Sequence, residues 1–316
     1  MTTRETEEEG EAPAMTSNTQ DQWAQWLLHR RFGGDLQHGQ AMLKELTVWR
    51  DHILEHATVA EGETVLDVGC SDGLIAFGAL DRVGEEGLVI FSDISQDLLD
   101  HCRSLAAALQ ALDHCRFVRA PADDLAALAP GSVDVVTTRS VLIYVQAKQQ
   151  ALHEFFRVLK PGGRLSIFEP INRFCYPEPP YRFLGYDVTP IEEIAGKVRA
   201  VFERIHEPAS SPLLNFDERD LLTSAERAGF AEIHLELQAT IKQPKPLDSD
   251  NETSRPAWET LLKSSGNPLD PTLEEAMAQA LSPHEAERFT AYLRPLVETM
   301  QGYERQAVAY LWAVKR

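Results

Sequence analysis

Cysteine is scarce: four residues in 316, at positions 70, 102, 115 and 175, with no Cys-x-x-Cys pair among them. That excludes a zinc knuckle and a disulfide framework, and it suits a reducing compartment. Basic residues are also in short supply, since 30 Lys and Arg face 49 Asp and Glu and leave a formal charge of −19. Binding along phosphate backbones needs clustered Lys and Arg and the release of counterions, so no nucleic-acid partner is expected. No run approaches the roughly 18 apolar residues that span a bilayer. The best, Leu74 to Leu80, is short and contains Gly78, so no membrane partner is expected either. The N-terminal residues show no basic start followed by an apolar stretch, as a secretory signal would, and the expected location is cytoplasmic.

What is present has the composition of a globular protein, with 43% hydrophobic residues in a chain long enough for one large core or two small ones. Residues 1–20 are polar and acidic and are expected to form a disordered tail. From Asp21 the pattern becomes helical through Trp23, Trp26 and Leu27, and a second helix is predicted from about Gln40 to His56. Aromatics at this spacing either form ordinary core or fold over a ligand as a lid. The period then changes. Short apolar strands are predicted at 63–69, 87–93, 115–119, 133–138 and 164–169, alternating with helices at 74–83, 96–112 and 148–159. Strands that are apolar on both faces and alternate with helices indicate a doubly wound α/β fold with a parallel sheet.

After Pro170 some forty residues rich in proline and aromatics read as an irregular loop; such a length points to function or disorder, and the aromatics favour function. A helix at 217–228, a strand at 232–241, an insert at 242–303 and a closing strand at 306–314 complete the pattern.

The sharpest local signal is Val65-Leu-Asp-Val-Gly-Cys-Ser-Asp-Gly73, a glycine turn between the first strand and its helix. Gly69 and Gly73 permit a tight turn and the close approach of a ligand to the main chain. Asp93, at the end of the second strand, can accept both hydroxyls of a ribose. A dinucleotide site wants Gly-x-Gly-x-x-Gly, whereas here Ser71 stands in the middle position.

Five segments in order, Leu66 to Gly73, Ser92-Asp-Ile-Ser95, Ala122-Asp-Asp-Leu125, Val133 to Leu142 and Arg157 to Gly163, resemble the class I S-adenosylmethionine-dependent methyltransferases. The likeness is greatest to the subgroup that includes the ubiquinone and menaquinone biosynthesis C-methyltransferases. It covers about residues 63–170, roughly a third of the chain. It implies a mostly parallel seven-stranded, Rossmann-like sheet and S-adenosylmethionine as cofactor. It implies that Asp67, Gly69 and the backbone around Cys70 and Ser71 hold the methionine end, that Asp93 takes the ribose hydroxyls, that Ala122 and Asp123 bracket the adenine, that Thr138 and Arg139 lie beside the methionyl group and the sulfonium, and that Gly73 and Ile94 also meet the cofactor. One domain is then expected over 21–316: a helical cap (21–60), a cofactor core (61–170), a substrate loop (171–216) and a helical insert (242–303).

Plainer readings stand beside these. Asp123 and Asp124 can cap a short turn, Arg139 can pair with a nearby acid, and Cys70 reads as a small packing residue. Should the acceptor need a base, the candidates are Tyr144, Glu169, His153 and His206, with Tyr144 and Glu169 favoured by position. Trp23, Trp26, Arg31, Asn172, Tyr181 and Tyr186 are expected to face a small organic acceptor. Among the ten histidines no metal-ligand pairing is singled out, so no metal is expected. Other readings are a protein acceptor, or a cofactor-bound reaction other than methylation such as a cyclisation. Oligomeric state stays open, a homodimer included.

Overall fold

The computed structural model describes residues 21–207, 210–244 and 257–316. The expected tail, 1–20, and the linker at 245–256 lie outside the described residues. The chain begins with α1 (Gln22–Gln25), which runs on as a π-helical turn over Trp26–Arg30, and then α2 (Leu36–His56). Strands β1 (Thr64–Val68), β2 (Leu88–Asp93), β3 (Cys115–Arg119), β4 (Val133–Arg139) and β5 (Leu159–Pro170) follow, with α3 (Leu74–Val83), α4 (Gln96–Ala108) and α5 (Lys148–Val158) between them. The remainder holds a small hairpin, β6 (Arg182–Phe183) and β7 (Tyr186–Asp187), then α6 (Glu192–Ile205), α7 (Glu218–Ala228), β8 (Glu232–Lys242), α8 (Trp258–Lys263), α9 (Leu273–Ala280), α10 (Pro283–Glu298) and β9 (Glu304–Val314).

Seven strands make one sheet in the order β3-β2-β1-β4-β5-β9-β8, and only β9 runs antiparallel to its neighbours. This is the expected doubly wound, mostly parallel sheet. Helices cover both faces, which is why Val65, Leu66, Val89, Val135, Val136 and Leu165, successive residues included, are all buried. Strand order reverses between β1 and β4, so a crevice opens at their carboxyl ends, where open α/β sheets bind ligands. No described helix is long and apolar enough to cross a membrane.

Two local expectations change. Lys160-Pro-Gly-Gly163 ends α5, yet it does not delay the strand: β5 starts at Leu159, and the pairing with β4 shifts register between Val133 and Val135. The Gly162 N–H donates to the Lys315 carbonyl and the Lys315 N–H to the Gly163 carbonyl, so the turn is absorbed into the sheet as an irregularity.

The larger correction concerns the segment expected to be an irregular loop over 171–216. It contains the 14-residue helix α6, whose Ile194, Ala195, Val198 and Val201 form one buried face. That face packs with Phe183, Val188, Trp258, Leu273, Phe289 and Leu293 into a hydrophobic cluster separate from the sheet. The supposed loop and the insert therefore close on each other as a helical cap, because neither amphipathic face can be buried alone.

Candidate active site

A cavity of about 1170 Å³ lies between the carboxyl ends of the strands and this cap. On the sheet side its wall includes Gly69, Ser71, Asp93, Ile94, Ala122, Asp123 and Arg139. Gly69 has φ +66°, and a Cβ there would come within 2.4 Å of Val141 Cγ2, so the turn leaves no room for a side chain. Asp93 is 7% exposed; its two oxygens accept hydrogen bonds from the Ser71 N–H (2.9 Å) and the Ser95 N–H (2.9 Å). It thus ties the glycine turn to the end of β2 while keeping lone pairs toward the cavity. Burial raises its pKa above the usual carboxylate range despite those two amides. Of the neighbouring acids, Asp124 caps the turn through the Ala126 N–H (3.2 Å), which leaves Asp123 on the cavity wall.

Several residues expected at the cofactor stand one layer behind it. Asp67 is 2% exposed and accepts from Thr137 Oγ1 (2.9 Å) and the Ala76 N–H; burial pushes its carboxyl up to about 7. It supports the turn from below and does not line the cavity. Gly73 serves helix packing, since at φ +83° an added Cβ would meet the Phe77 ring at 2.5 Å. Cys70 is 3% exposed, and its hydrogen bond with the Cys102 thiol, together with burial, holds it well above the normal thiol range, in keeping with a packing residue. Thr138 is fully buried and its hydroxyl has no partner among the described residues.

Both favoured bases are corrected. Glu169 is completely buried and does not line the cavity: Oε1 accepts from the Val141 and Leu142 N–H groups (2.9 Å each) and Oε2 from the Ile143 N–H (3.1 Å). Burial pushes its pKa up to about 7, and its three amides hold it as the anchor of the loop that presses Val141 onto Gly69. Tyr144 does reach the cavity, with Trp23 edge-on at 4.8 Å. Burial and the nearby Glu169 push its phenol far above its ordinary range, so it stays protonated and serves as a donor and a wall. His153 is exposed on α5.

The N-terminal helices are tied to the insert by three side-chain bonds. Trp26 Nε1 donates to the Ser265 carbonyl (2.8 Å), Arg30 pairs with Glu275 (2.5 Å), and Thr260 Oγ1 donates to Asp35 Oδ2 (2.7 Å). Trp23, Trp26 and Arg31 all face the cavity. Arg31 lies over Trp26 and Phe32, and burial followed by the Arg139 charge lowers its pKa. Among the described residues neither Arg31 nor Arg139 is in a direct salt bridge; Asp72 acts on Arg31 and Arg139 on Asp67 only through space, so both guanidinium groups keep their donors for the cavity they line.

On the cap side the wall includes Asn172, Cys175, Tyr176, Phe183, His206 and Asp270. His206, just past the end of α6, contacts Asp270 Oδ1 through Nε2, and its Nδ1 lies 3.4 Å from Ser211 Oγ. Asp270 is itself held by Asn267 Nδ2 (2.5 Å). Position 206 is a bare base candidate in the sequence, but Asp270 stands 64 residues further on and no spacing announces it. Tyr181 and Tyr186 are not on the wall. Tyr181 is 47% exposed, and Tyr186 packs into the helical cluster beside Gly302. Phe183, paired with Tyr186 across the hairpin, is the aromatic of the three that reaches the cavity wall. Tyr181→Ala is accordingly expected to leave kcat and the acceptor KM within about twofold of the parent, whereas Tyr176→Ala should raise that KM; steady-state kinetics on one acceptor checks both.

The family model of the ubiE/COQ5 methyltransferase family matches residues 40–208, just over half of the chain. The chain belongs to the ubiE/COQ5 methyltransferase family. The ubiquinone/menaquinone biosynthesis C-methyltransferase of Haemophilus ducreyi is 29% identical over 194 residues, 59% of this chain and 71% of that protein. Its counterpart from Legionella pneumophila is 28% identical over 190 residues, covering 59% and 74%. The solved YcgJ protein of Bacillus subtilis shares the fold with a TM-score of 0.50 at 17% identity, over 84% of this chain and 97% of its own. This ubiE/COQ5-family member is an S-adenosylmethionine-dependent methyltransferase of small organic molecules. The residues present suit that cofactor: a turn with no side chain at Gly69, an acid at the strand end and two guanidinium groups on the cavity wall for a carboxylate.

Proposed function

We propose that the enzyme methylates a small apolar or aromatic acceptor bearing an ionisable O–H, N–H or activated C–H, with His206 as the base that removes its proton. The single observation that carries this reading is the His206–Asp270 pair on the wall of the same cavity that Gly69, Asp93 and Arg139 line. If Asp270 accepts the Nε2 proton, Nδ1 is the basic nitrogen, in the manner of a base oriented by an acid, and the acceptor's O–H, N–H or C–H takes over the lone pair that Ser211 Oγ meets in a long hydrogen bond of 3.4 Å. The cofactor supplies a methyl carbon activated by a positive sulfur, ready for in-line displacement. The chain's own residues align and desolvate. Gly69 and Ser71 receive the methionine end, Asp93 the ribose hydroxyls, Ile94, Ala122 and Asp123 the adenine side, and Arg31 with Arg139 the carboxylate. Arg31, expected on the acceptor side, is thereby reassigned to the cofactor. Trp23, Tyr144, Tyr176 and Phe183 exclude water around the acceptor.

The acceptor of the named relatives is not carried over, because Trp23, Trp26, Arg31 and Asp270 lie outside the matched residues 40–208. The shortage of cysteine and of apolar runs supports a cytoplasmic location. The test is release of S-adenosylhomocysteine and mass gain of one methyl group across a panel of phenols, amines and enolisable carbonyls. Turnover on at least one class supports the reading. Methylation confined to protein acceptors, or an acceptor converted without gain of mass as in a cyclisation, overturns it.

A further inference from the structure

Contrary to the expectation of no metal-ligand pairing, His52 and His56 stand four residues apart, one turn of α2, with ring centroids 4.3 Å apart. The carboxyl-terminal part of α2 packs on the sheet, where Ser166 Oγ donates to the Ile53 carbonyl (2.9 Å). There the two imidazoles rest on an aromatic floor from β9: His52 lies 4.4 Å from Tyr310, and His56 stacks on Trp312 at 3.8 Å and 21°. Glu236 of β8 is paired in register with Tyr310 and brings its Oε2 to 3.9 Å from His52 Nε2. One ligand atom from each of the three residues lies within 4.8 Å of the other two; among the described residues no second group of this kind occurs. Independently, His56 Nδ1 is buried without any hydrogen-bond partner. A buried polar nitrogen left unsatisfied is costly and rare, and a missing ligand is one cause of it.

The geometry points to a binding site for one divalent transition-metal ion of the zinc type, held by His52, His56 and Glu236 and joining α2 to the sheet-edge strand β8. Two imidazoles from one helical turn chelate with little loss of freedom, and a carboxylate adds the charge the cation needs. Such a set suits Zn²⁺, Co²⁺, Ni²⁺ or Cu²⁺, whereas Mg²⁺ and Ca²⁺ prefer oxygen throughout. Metal bonds of about 2.0–2.2 Å place tetrahedral ligand atoms roughly 3.4 Å apart, so closing from 4.8 Å asks only for side-chain rotation. All three residues are partly exposed, which leaves an entry path and a fourth position for water. None of them lines the cavity. The site is therefore a clip on the fold: β8 pairs only with β9, and an ion would fasten this edge to the helix whose Trp49 forms part of the cavity wall.

The full chain, stripped with a chelator and dialysed, should bind one equivalent of Zn²⁺ at micromolar Kd or tighter by calorimetry, and Co²⁺ should show the visible spectrum of a low-coordinate site. Excess Zn²⁺ should raise the melting temperature by roughly 5 °C at a hundred times Kd. The double variant His52→Ala/His56→Ala should bind at least about 30-fold more weakly and lose the thermal shift. Glu236→Gln, on a partly exposed edge strand, gives the same reading should the double variant fail to fold. A parent protein that takes up no equivalent, or binding unchanged in these variants, overturns the proposal.

Discussion

Replacing His206 by alanine is expected to lower kcat by roughly 10²–10⁴-fold, the range over which a positioned general base contributes. The expectation rests on a pair with one orientation: Asp270 is fixed by Asn267, Ser265 Oγ donates to the Asp270 carbonyl (2.8 Å), and the imidazole is held against its carboxylate. The residue sits on the cap side of the cavity, while the cofactor is assigned to the sheet side, so S-adenosylmethionine affinity measured by calorimetry should stay within about twofold. Asp270→Asn should act in the same direction, because the ring would lose the partner that orients it. Added imidazole should restore part of the His206→Ala activity, a rescue that a purely structural role would not show. An alanine variant with parental kcat on an acceptor that must lose a proton would remove His206 from the chemistry.

Asp93→Ala should weaken binding of both S-adenosylmethionine and S-adenosylhomocysteine by about 1.5–3 kcal/mol, or roughly 10- to 150-fold. Two losses combine. The charge-assisted bonds assigned to the ribose hydroxyls disappear, and the Ser71 and Ser95 N–H groups lose the oxygens that now hold the glycine turn to β2. Asp93→Asn separates them, since it keeps one acceptor for the turn and removes the charge; an intermediate affinity is expected. The measurement is calorimetric titration of each variant with both ligands. Unchanged affinity in Asp93→Ala, or tighter binding of a nicotinamide dinucleotide than of either sulfur nucleoside, would contradict the assignment.

The gap between what could be read and what could not follows chain distance. Gly69, Ser71, Asp93, Ala122 and Arg139 sit at the carboxyl ends of strands whose order along the chain is also the order of their motifs. A strand end and the turn after it are local objects, specified by apolar runs and glycines a few residues apart. The same local view ranked Tyr144 and Glu169 as bases, for both follow β4 or end β5. Only packing shows that Glu169 spends its lone pairs on three amides and that burial beside it keeps Tyr144 protonated on the cavity wall. Tyr181, Phe183 and Tyr186 are equal in composition, and only packing separates them: Phe183 and Tyr186 pair across the hairpin and share the helical cluster, Phe183 is the one of the three that also reaches the cavity wall, and Tyr181 is left 47% exposed.

By itself the sequence determined the sheet, its parallel strands and the glycine turn, since each depends on periodicity and glycine placement within a few residues, and its resemblance to known methyltransferases implied the cofactor and the class. The tertiary structure alone decided the rest. Trp26 reaches Ser265 across 239 residues, His206 reaches Asp270 across 64, and His52 with His56 reaches Glu236 on a strand at the far edge of the sheet. Such pairs carry no signature in spacing, because they form only when amphipathic faces distant in the chain, α6 against the insert and α2 against β8 and β9, have no other way to leave water.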